Sequence, residues 1–257
     1  MKIKLSVVLA TYNEERNIDR CLDSVRQLAD EIIIVDGRSD DDTVKIAKKY
    51  GARIILVNNN PTHFHVQKKM AIDAAKGEWV LQLDADECLT PTLVSEIEYH
   101  INHKTEFNGF WIPRSNYFLG RFLTKGGQYP DYTMRLYKRG KGNLPAKDVH
   151  EQALVLPPVD YLKNSMLHYG TPDFENYLTR NNKYTSLLAE QFSEANVPIN
   201  FISTINYLLI KPTQEFIWIY FRHKGYVDGF PGFVFALFSS LRFGIAYIKY
   251  WQQTKYP

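Results

Sequence analysis

Residues 80–91 read VLQLDADECLTP, an apolar run that ends in three carboxylates, Asp84, Asp86 and Glu87. Like charges this close repel one another, and the repulsion grows as the site leaves water. A positive group or a set of hydrogen-bond donors is therefore required beside them. Asp84 and Asp86 sit two apart at a strand end, so alternation aims both at one volume if the chain turns there. Hard oxygen ligands so placed suit Mg²⁺ or Mn²⁺, which complete their shells with water and phosphate oxygens. The bland alternative is a solvated acidic turn ahead of the helix begun by Thr90 and Pro91, an N-cap followed by proline at the first helical position. A bare D-x-D does not choose between them.

The sequence upstream repeats a pattern of strand, polar loop and helix. KLSVVLATYNEE opens with an unbroken apolar run, as a strand buried on both faces does. Asn13 is the expected N-cap of a helix whose inward face is Ile18, Cys21, Leu22 and Val25. EIIIVDGRSDDDT begins a second unit, with Val44, Ala47 and Tyr50 turned inward and Gly51 as the stop. ARIILV is a third strand, His65 to Ala75 a helix, and EWVLQLD a fourth strand. Alternation of this kind predicts right-handed crossovers and a mostly parallel sheet, with ligands beyond the carboxyl ends of its strands. Those ends carry ATYNEE, DGRSDD and DADE. No GxGxxG follows the first strand and no GxxxxGK[ST] occurs, so a bound phosphate would rely on a metal.

The totals exclude little. The 257 residues carry a net charge of +3, which argues neither for nor against nucleic acid. Cys21 and Cys88 make no disulfide framework, and a reduced, cytosolic setting follows. The apolar run Leu5 to Ala10 is too short for a signal peptide.

The ordered set VVLATYNEERNI, IIIVDGRSDDDT, QKKMAIDAAKGEWVLQLDADE and VHE resembles the family 2 glycosyltransferases, inverting enzymes with the GT-A fold. The resemblance covers about the first 170 residues, and it is nearest to the subgroup that adds sugars to lipopolysaccharide core or other envelope glycans. It implies roles position by position. Ala10, Thr11, Tyr12, Asn13 and Glu14 would flank the base and ribose of a nucleotide diphosphate sugar, UDP-sugar being the family's commonest donor. Asp36, Gln67, Lys68, Asp84 and Ala85 would line the same pocket, with Lys68 toward phosphate. Asp86 would hold Mn²⁺ or Mg²⁺, and His168 would join it; the alternative for His168 is a purely structural residue. Glu151 would be the general base that takes the acceptor's proton. Two departures matter: Gly37 stands where many relatives have a second acidic residue, and Lys69 where they often have Asn.

On the acceptor side, TMRLYKR reads as a strand. Arg135, Lys138 and Arg139 could meet an anionic acceptor or form a solvated basic strand end. Asp173 to Glu194 reads as one helix, with Arg180 in a polar cluster that could close over the acceptor. Beyond Pro198 the chain turns aromatic and apolar, without the roughly 20 consecutive apolar residues of a spanning helix. Ser239, Arg242, Lys249 and Gln253 form one stripe on a helical wheel, which suits a helix lying in a membrane interface, or packing on protein.

The expectation is thus an α/β protein with the GT-A nucleotide-diphospho-sugar transferase fold, a catalytic domain at 1–170 and a helical, aromatic-rich appendage at 171–257. It would be a metal-dependent hexosyltransferase, cytoplasmic and peripheral on the inner face of the cytoplasmic membrane. Its partners would be a UDP-sugar, a glycan or lipid-linked acceptor and a membrane surface, with no nucleic acid. The rivals are a nucleotidyltransferase acting on a sugar phosphate and a non-catalytic adaptor of the same fold.

Overall fold

The computed structural model of the chain describes residues 3–59, 64–145, 152–171 and 173–256. They form two compact units, Met1–Arg114 with Asp131–His168, and Ser115–Pro130 with Tyr169–Pro257. Residues 115–130, expected in the catalytic domain, group with the C-terminal residues.

In the first unit β1 (Leu5–Thr11), β2 (Glu31–Asp36), β3 (Arg53–Leu56) and β4 (Trp79–Gln82) pair in parallel in the order β3-β2-β1-β4. Their connections carry α1 (Ile18–Val25), α2 (Thr43–Lys49) and α3 (Phe64–Asp73). Next to β4 the sheet turns antiparallel, through β8 (Asp131–Lys138) and β6 (Gly109–Phe118), and then reaches β12 (Met166–His168) and β5 (Glu87–Leu89). α4 (Pro91–Asn102) follows β5, and Thr90 caps it by accepting from the Leu93 amide at 3.3 Å. β9 (Gly142–Asn143) pairs with β10 (Leu154–Val155), and β11 (Val159–Tyr161) adds to β6.

The unbroken apolar runs are explained by burial on both faces. Leu5, Val7 and Leu9 of β1, Ile32 and Ile34 of β2, and Trp79 and Leu81 of β4 share one core with Ile18, Cys21, Leu22 and Val25 of α1. Val8, Ile33, Val35 and Val80 point the other way, toward Ala71 of α3. Each such aliphatic side chain contributes about 1.5–3 kcal/mol by leaving water. The polar residues are thereby driven to the strand ends, where the loops meet.

Asn13 is not the N-cap expected of it. It has φ 55°, in the left-handed region that Asn tolerates, and α1 begins only at Ile18. Its amide donates to Ser39 Oγ at 2.9 Å, and its Oδ1 accepts from the Asp40 amide at 3.1 Å. The residue ties the first loop to the second.

In the second unit the end of β6 pairs with β7 (Arg121–Phe122). α5 (Phe174–Glu194) is capped by Asp173, whose Oδ1 accepts from the Asn176 amide at 2.8 Å. α6 (Phe201–Ile205), a π-helical stretch at 206–210, α7 (Lys211–Ile217) and a second π-helical stretch at 218–222 follow in sequence. Pro212 cannot donate to the preceding turn and its ring crowds the carbonyl there, so the widened π turn relieves it. A 3₁₀ turn at 225–228 then leads into α8 (Gly229–Lys255).

Residues 225–255 are long and apolar enough to cross a membrane by length and composition, contrary to the expectation that no such stretch exists. The difference is that isolated charges break an apolar run without making the whole helix polar. The polar stripe on α8 is also put to another use: Ser239 and Lys249 bond to α5, and Arg242 bonds to Glu215.

Candidate active site

The acidic stretch forms a clamped turn. The Glu87 amide donates to the Asp84 carbonyl at 2.9 Å, while the Asp84 amide donates to Glu87 Oε2 at 2.9 Å. Glu87 is fully buried, so its charge demands partners. Arg135 Nη2 lies 2.7 Å from Glu87 Oε1 and 2.6 Å from Asp84 Oδ2, and Arg114 Nη1 approaches Glu87 at 3.4 Å. Arg114 is itself held by Asp131, with Nε at 2.9 Å and Nη2 at 2.7 Å. Lys68 forms an ion pair with the other oxygen of Asp84.

The repulsion posed by the sequence is therefore relieved mainly by the chain's own cations. Burial opposes ionisation of Asp84, yet Arg135 and Lys68 outweigh it and hold the carboxyl well below the usual carboxylate range. Burial likewise opposes the charge on Arg135, and Asp84 and Glu87 overcome it. Arg135, expected toward an anionic acceptor, is buried in this network and turns inward. The alternation along β8 was legible, but which face held the carboxylates was not. Arg114 was missed altogether, since no motif marks it. Only the unpaid burial of Glu87 could have pointed to a second guanidinium.

Asp86 is placed differently. The antiparallel pairing of β12 with β5 sets His168 opposite Glu87, and His168 Nε2 comes 3.3 Å from Asp86 Oδ2. Both side chains are part-exposed. A carboxylate oxygen and an imidazole nitrogen so close fit Mn²⁺ or Mg²⁺. Among the described residues no group of three or more ligating side chains could hold a metal, and Asp84 is committed to two cations. Further ligands would thus be water and phosphate oxygens, which is how Mg²⁺ commonly binds.

The first two loops converge on the same sheet edge. Ala10 and Thr11 are buried, Tyr12 and Asn13 exposed, and Glu14 lies between. The Glu14 amide donates to Thr43 Oγ1 at 2.7 Å, and its carboxylate accepts from Asn17 Nδ2 at 2.9 Å. Burial pushes the Glu14 carboxyl up, the Asn17 bond opposes that, and the charges of Asp86, Asp84 and Asp41 add to it. Asp36 is fully buried: it accepts from Thr11 Oγ1 at 2.8 Å and Ser39 Oγ at 2.7 Å, and from the Ser39 amide at 2.8 Å. It holds the first loop, through Thr11, to the second, through Ser39. At Gly37 a Cβ would lie 3.2 Å from Asn59, so a second acidic side chain there would crowd that neighbour.

The remaining expected residues fall as follows. Gln67 is buried on α3. Ala85 is buried with the core of α1. Arg180 donates to the Gly170 carbonyl in the second unit. Glu151 lies outside the described residues; its neighbour Gln152 accepts from the Met134 amide on β8 at 3.0 Å, one residue before Arg135.

The family model for glycosyl transferase family 2 matches residues 6–152. An uncharacterised glycosyltransferase of Rickettsia typhi is 30% identical over 257 residues, which cover 93% of this chain and 84% of that protein. The lipopolysaccharide core biosynthesis glycosyltransferase LpsC of Rhizobium meliloti is 27% identical, over 98% of this chain and 93% of its own. In fold, the crystal structure of S. aureus TarS 1-349 is similar with a TM-score of 0.50 at 15% identity, covering 99% of this chain and 93% of that one. Between the two rival enzyme classes these matches decide for glycosyl transfer. The chain belongs to glycosyl transferase family 2 and has the GT-A fold, with a helical region at its C-terminal end.

Proposed function

We propose that the protein is a divalent-metal-dependent inverting hexosyltransferase, taking its sugar from a UDP-sugar and giving it to a glycan or lipid-linked acceptor of the cell envelope. The similarity to LpsC supports the acceptor class. The observation that carries the metal-dependent reading is the pairing of Asp86 with His168 beside an Asp84 already neutralised by Lys68 and Arg135. The reading has it act on the inner face of the cytoplasmic membrane, where nucleotide sugars and lipid-linked acceptors would meet.

Each residue then has a task. Asp86 and His168 would hold the metal, whose chemistry is to stabilise negative charge on the departing diphosphate. Asp84, kept ionised and held by Arg135 and Lys68, would border the ribose. The loop 10–14 borders the base and ribose, and Asp36 keeps that loop in register with the second. Lys68, with part of its side chain exposed, adds positive charge where the diphosphate arrives. Glu151 accepts the acceptor's hydroxyl proton as the oxygen attacks the anomeric carbon. The bond from that carbon to the diphosphate oxygen breaks on the opposite face, so the configuration inverts and UDP leaves.

The reading is tested by thermal stabilisation with a panel of nucleotide diphosphate sugars and nucleoside triphosphates, with and without Mn²⁺. Binding to the native state raises stability by mass action, so no acceptor is needed. A Mn²⁺-dependent rise with a UDP-sugar is expected. A rise with triphosphates alone, or none with any nucleotide, would overturn it.

A further inference from the structure

In the second unit α5 and α8 enclose apolar residues such as Ala189, Phe192, Ala246 and Tyr247 together with a polar stripe, and leave other apolar side chains of α8 exposed. On α8, Ser239 Oγ lies 3.3 Å from the Tyr177 hydroxyl, and Lys249 Nζ donates to Asn182, Thr185 and Ser186 on α5 at 2.7–2.9 Å. At 100° per residue Phe230, Leu241 and Ile248 fall together on the side of α8 away from Ser239, with Ile245 at the edge of that stripe toward Lys249; all four are exposed, Phe230 to 72% and Ile248 to 54%. The preceding helical run adds Leu209, Ile217, Trp218 and Phe221, each more than half exposed, at 61%, 51%, 54% and 58%. Single exposed apolar residues are ordinary, but an array on successive helical faces marks an interaction surface.

Charge identifies the occupant. Residues 201–256 contain six Lys and Arg against only two acids, Glu215 and Asp228. Both acids are answered within the unit. Glu215 accepts from Arg242 at 2.6 Å, and the buried Asp228 accepts from the Thr124 and Lys125 amides at 2.9 and 2.8 Å and pairs with Arg121. The turn joining the two helical runs thus shows solvent Arg222 and Lys224 beside Phe221 and Tyr226. Exposed aromatics beside cations that neither acid of this segment neutralises, Arg222 lying over the Trp218 ring, match an anionic headgroup layer. A second copy on this face would set those cations near their own equivalents across a two-fold axis.

We propose that this face docks on an anionic lipid bilayer with α8 lying in the membrane plane, its Phe230, Leu241, Ile245 and Ile248 stripe in the acyl boundary and Arg222 and Lys224 among the headgroups. Crossing the bilayer is disfavoured although α8 is long enough, because its other side is bonded to α5. That helix exposes Arg180, Lys183 and Glu190, charges that hydrocarbon would not accept. The proposal deepens the proposed function by giving it a membrane surface. Its test reads vesicle binding without sugar transfer, so each can fail alone.

The test is co-sedimentation of the full chain, without detergent, with phosphatidylcholine vesicles and with vesicles containing roughly 30% phosphatidylglycerol. Binding to the anionic vesicles is expected, weakening as salt rises. The Trp218→Ser/Phe221→Ser and Ile245→Ser/Ile248→Ser doubles, all at exposed positions, should each bind about tenfold more weakly while melting like the parent. Absence of binding by the parent chain, or undiminished binding by folded double variants, would overturn the proposal. So would a stable dimer in light scattering that the same variants dissolve, or a chain that alkaline carbonate cannot strip from vesicles.

Discussion

Arg135 Nη2 donates to Asp84 Oδ2 at 2.6 Å and with the same nitrogen reaches Glu87 Oε1 at 2.7 Å. One guanidinium thus relieves the repulsion of the acidic turn without a metal. The two aspartates of D-x-D are thereby distinguished: the first belongs to the protein's own charge network, and the second pairs with His168, where the proposed function assigns the metal.

Removing the guanidinium leaves Asp84 and Glu87 underpaired in a buried setting. Arg135→Met should lower unfolding free energy by about 3–5 kcal/mol, and Arg135→Lys by less. Urea unfolding reads both. A loss below about 1 kcal/mol for Arg135→Met, the worth of a surface pair, would contradict a structural role for this ion pair.

Glu14 gives a pH test. Its carboxyl is pushed up chiefly by burial, which means the fold favours the neutral form. Above the raised value the ionised side chain weakens the native state, and the penalty fades as pH falls through it. Glu14→Gln should therefore melt higher than the parent at about pH 7.5, with the gap closing toward about pH 4, where free carboxyls also become protonated. A gap that widens on acidification would refute the sign.

If Glu151 is the base, Glu151→Gln should lower kcat by about 10²–10⁴-fold and leave Mn²⁺-dependent UDP binding intact. The two are separated by turnover assays and calorimetry. A parallel collapse of UDP affinity would move Glu151 from proton transfer to donor binding.

Lys249 is enclosed by oxygens of Asn182, Thr185 and Ser186. Lys249→Met should cost about 1–3 kcal/mol, because it leaves acceptors of α5 unanswered. Hydrogen exchange should quicken in peptides of α5 and α8 and stay unchanged in β1 and β4. Uniform acceleration throughout the chain would show that the contact does not act locally.

The strands and crossovers were legible because burial on both sheet faces imposes long apolar runs, as in Leu5–Thr11 and Glu31–Asp36. Thr90 was legible as a cap because its side-chain oxygen needs only the amide three residues on. The site was less so. Asn13 read as a cap because its bond to Asp40 spans two loops, and sequence spacing carries no sign of that contact. Arg135 read as an acceptor contact for the same reason: its partners lie 51 and 48 residues away, on β5 and the turn before it. On α8 the polar stripe was visible, but not whether water or α5 would take it.

The measurement that bears most directly on the distinction between the two aspartates of D-x-D is calorimetric titration of UDP into the parent protein and the Asp86→Asn variant, each with and without Mn²⁺. The parent should bind UDP much more tightly with Mn²⁺, and Asp86→Asn should bind equally weakly in both conditions. Equal binding by the parent with and without Mn²⁺, or a Mn²⁺ response that survives in Asp86→Asn, would contradict the assignment of the metal to Asp86.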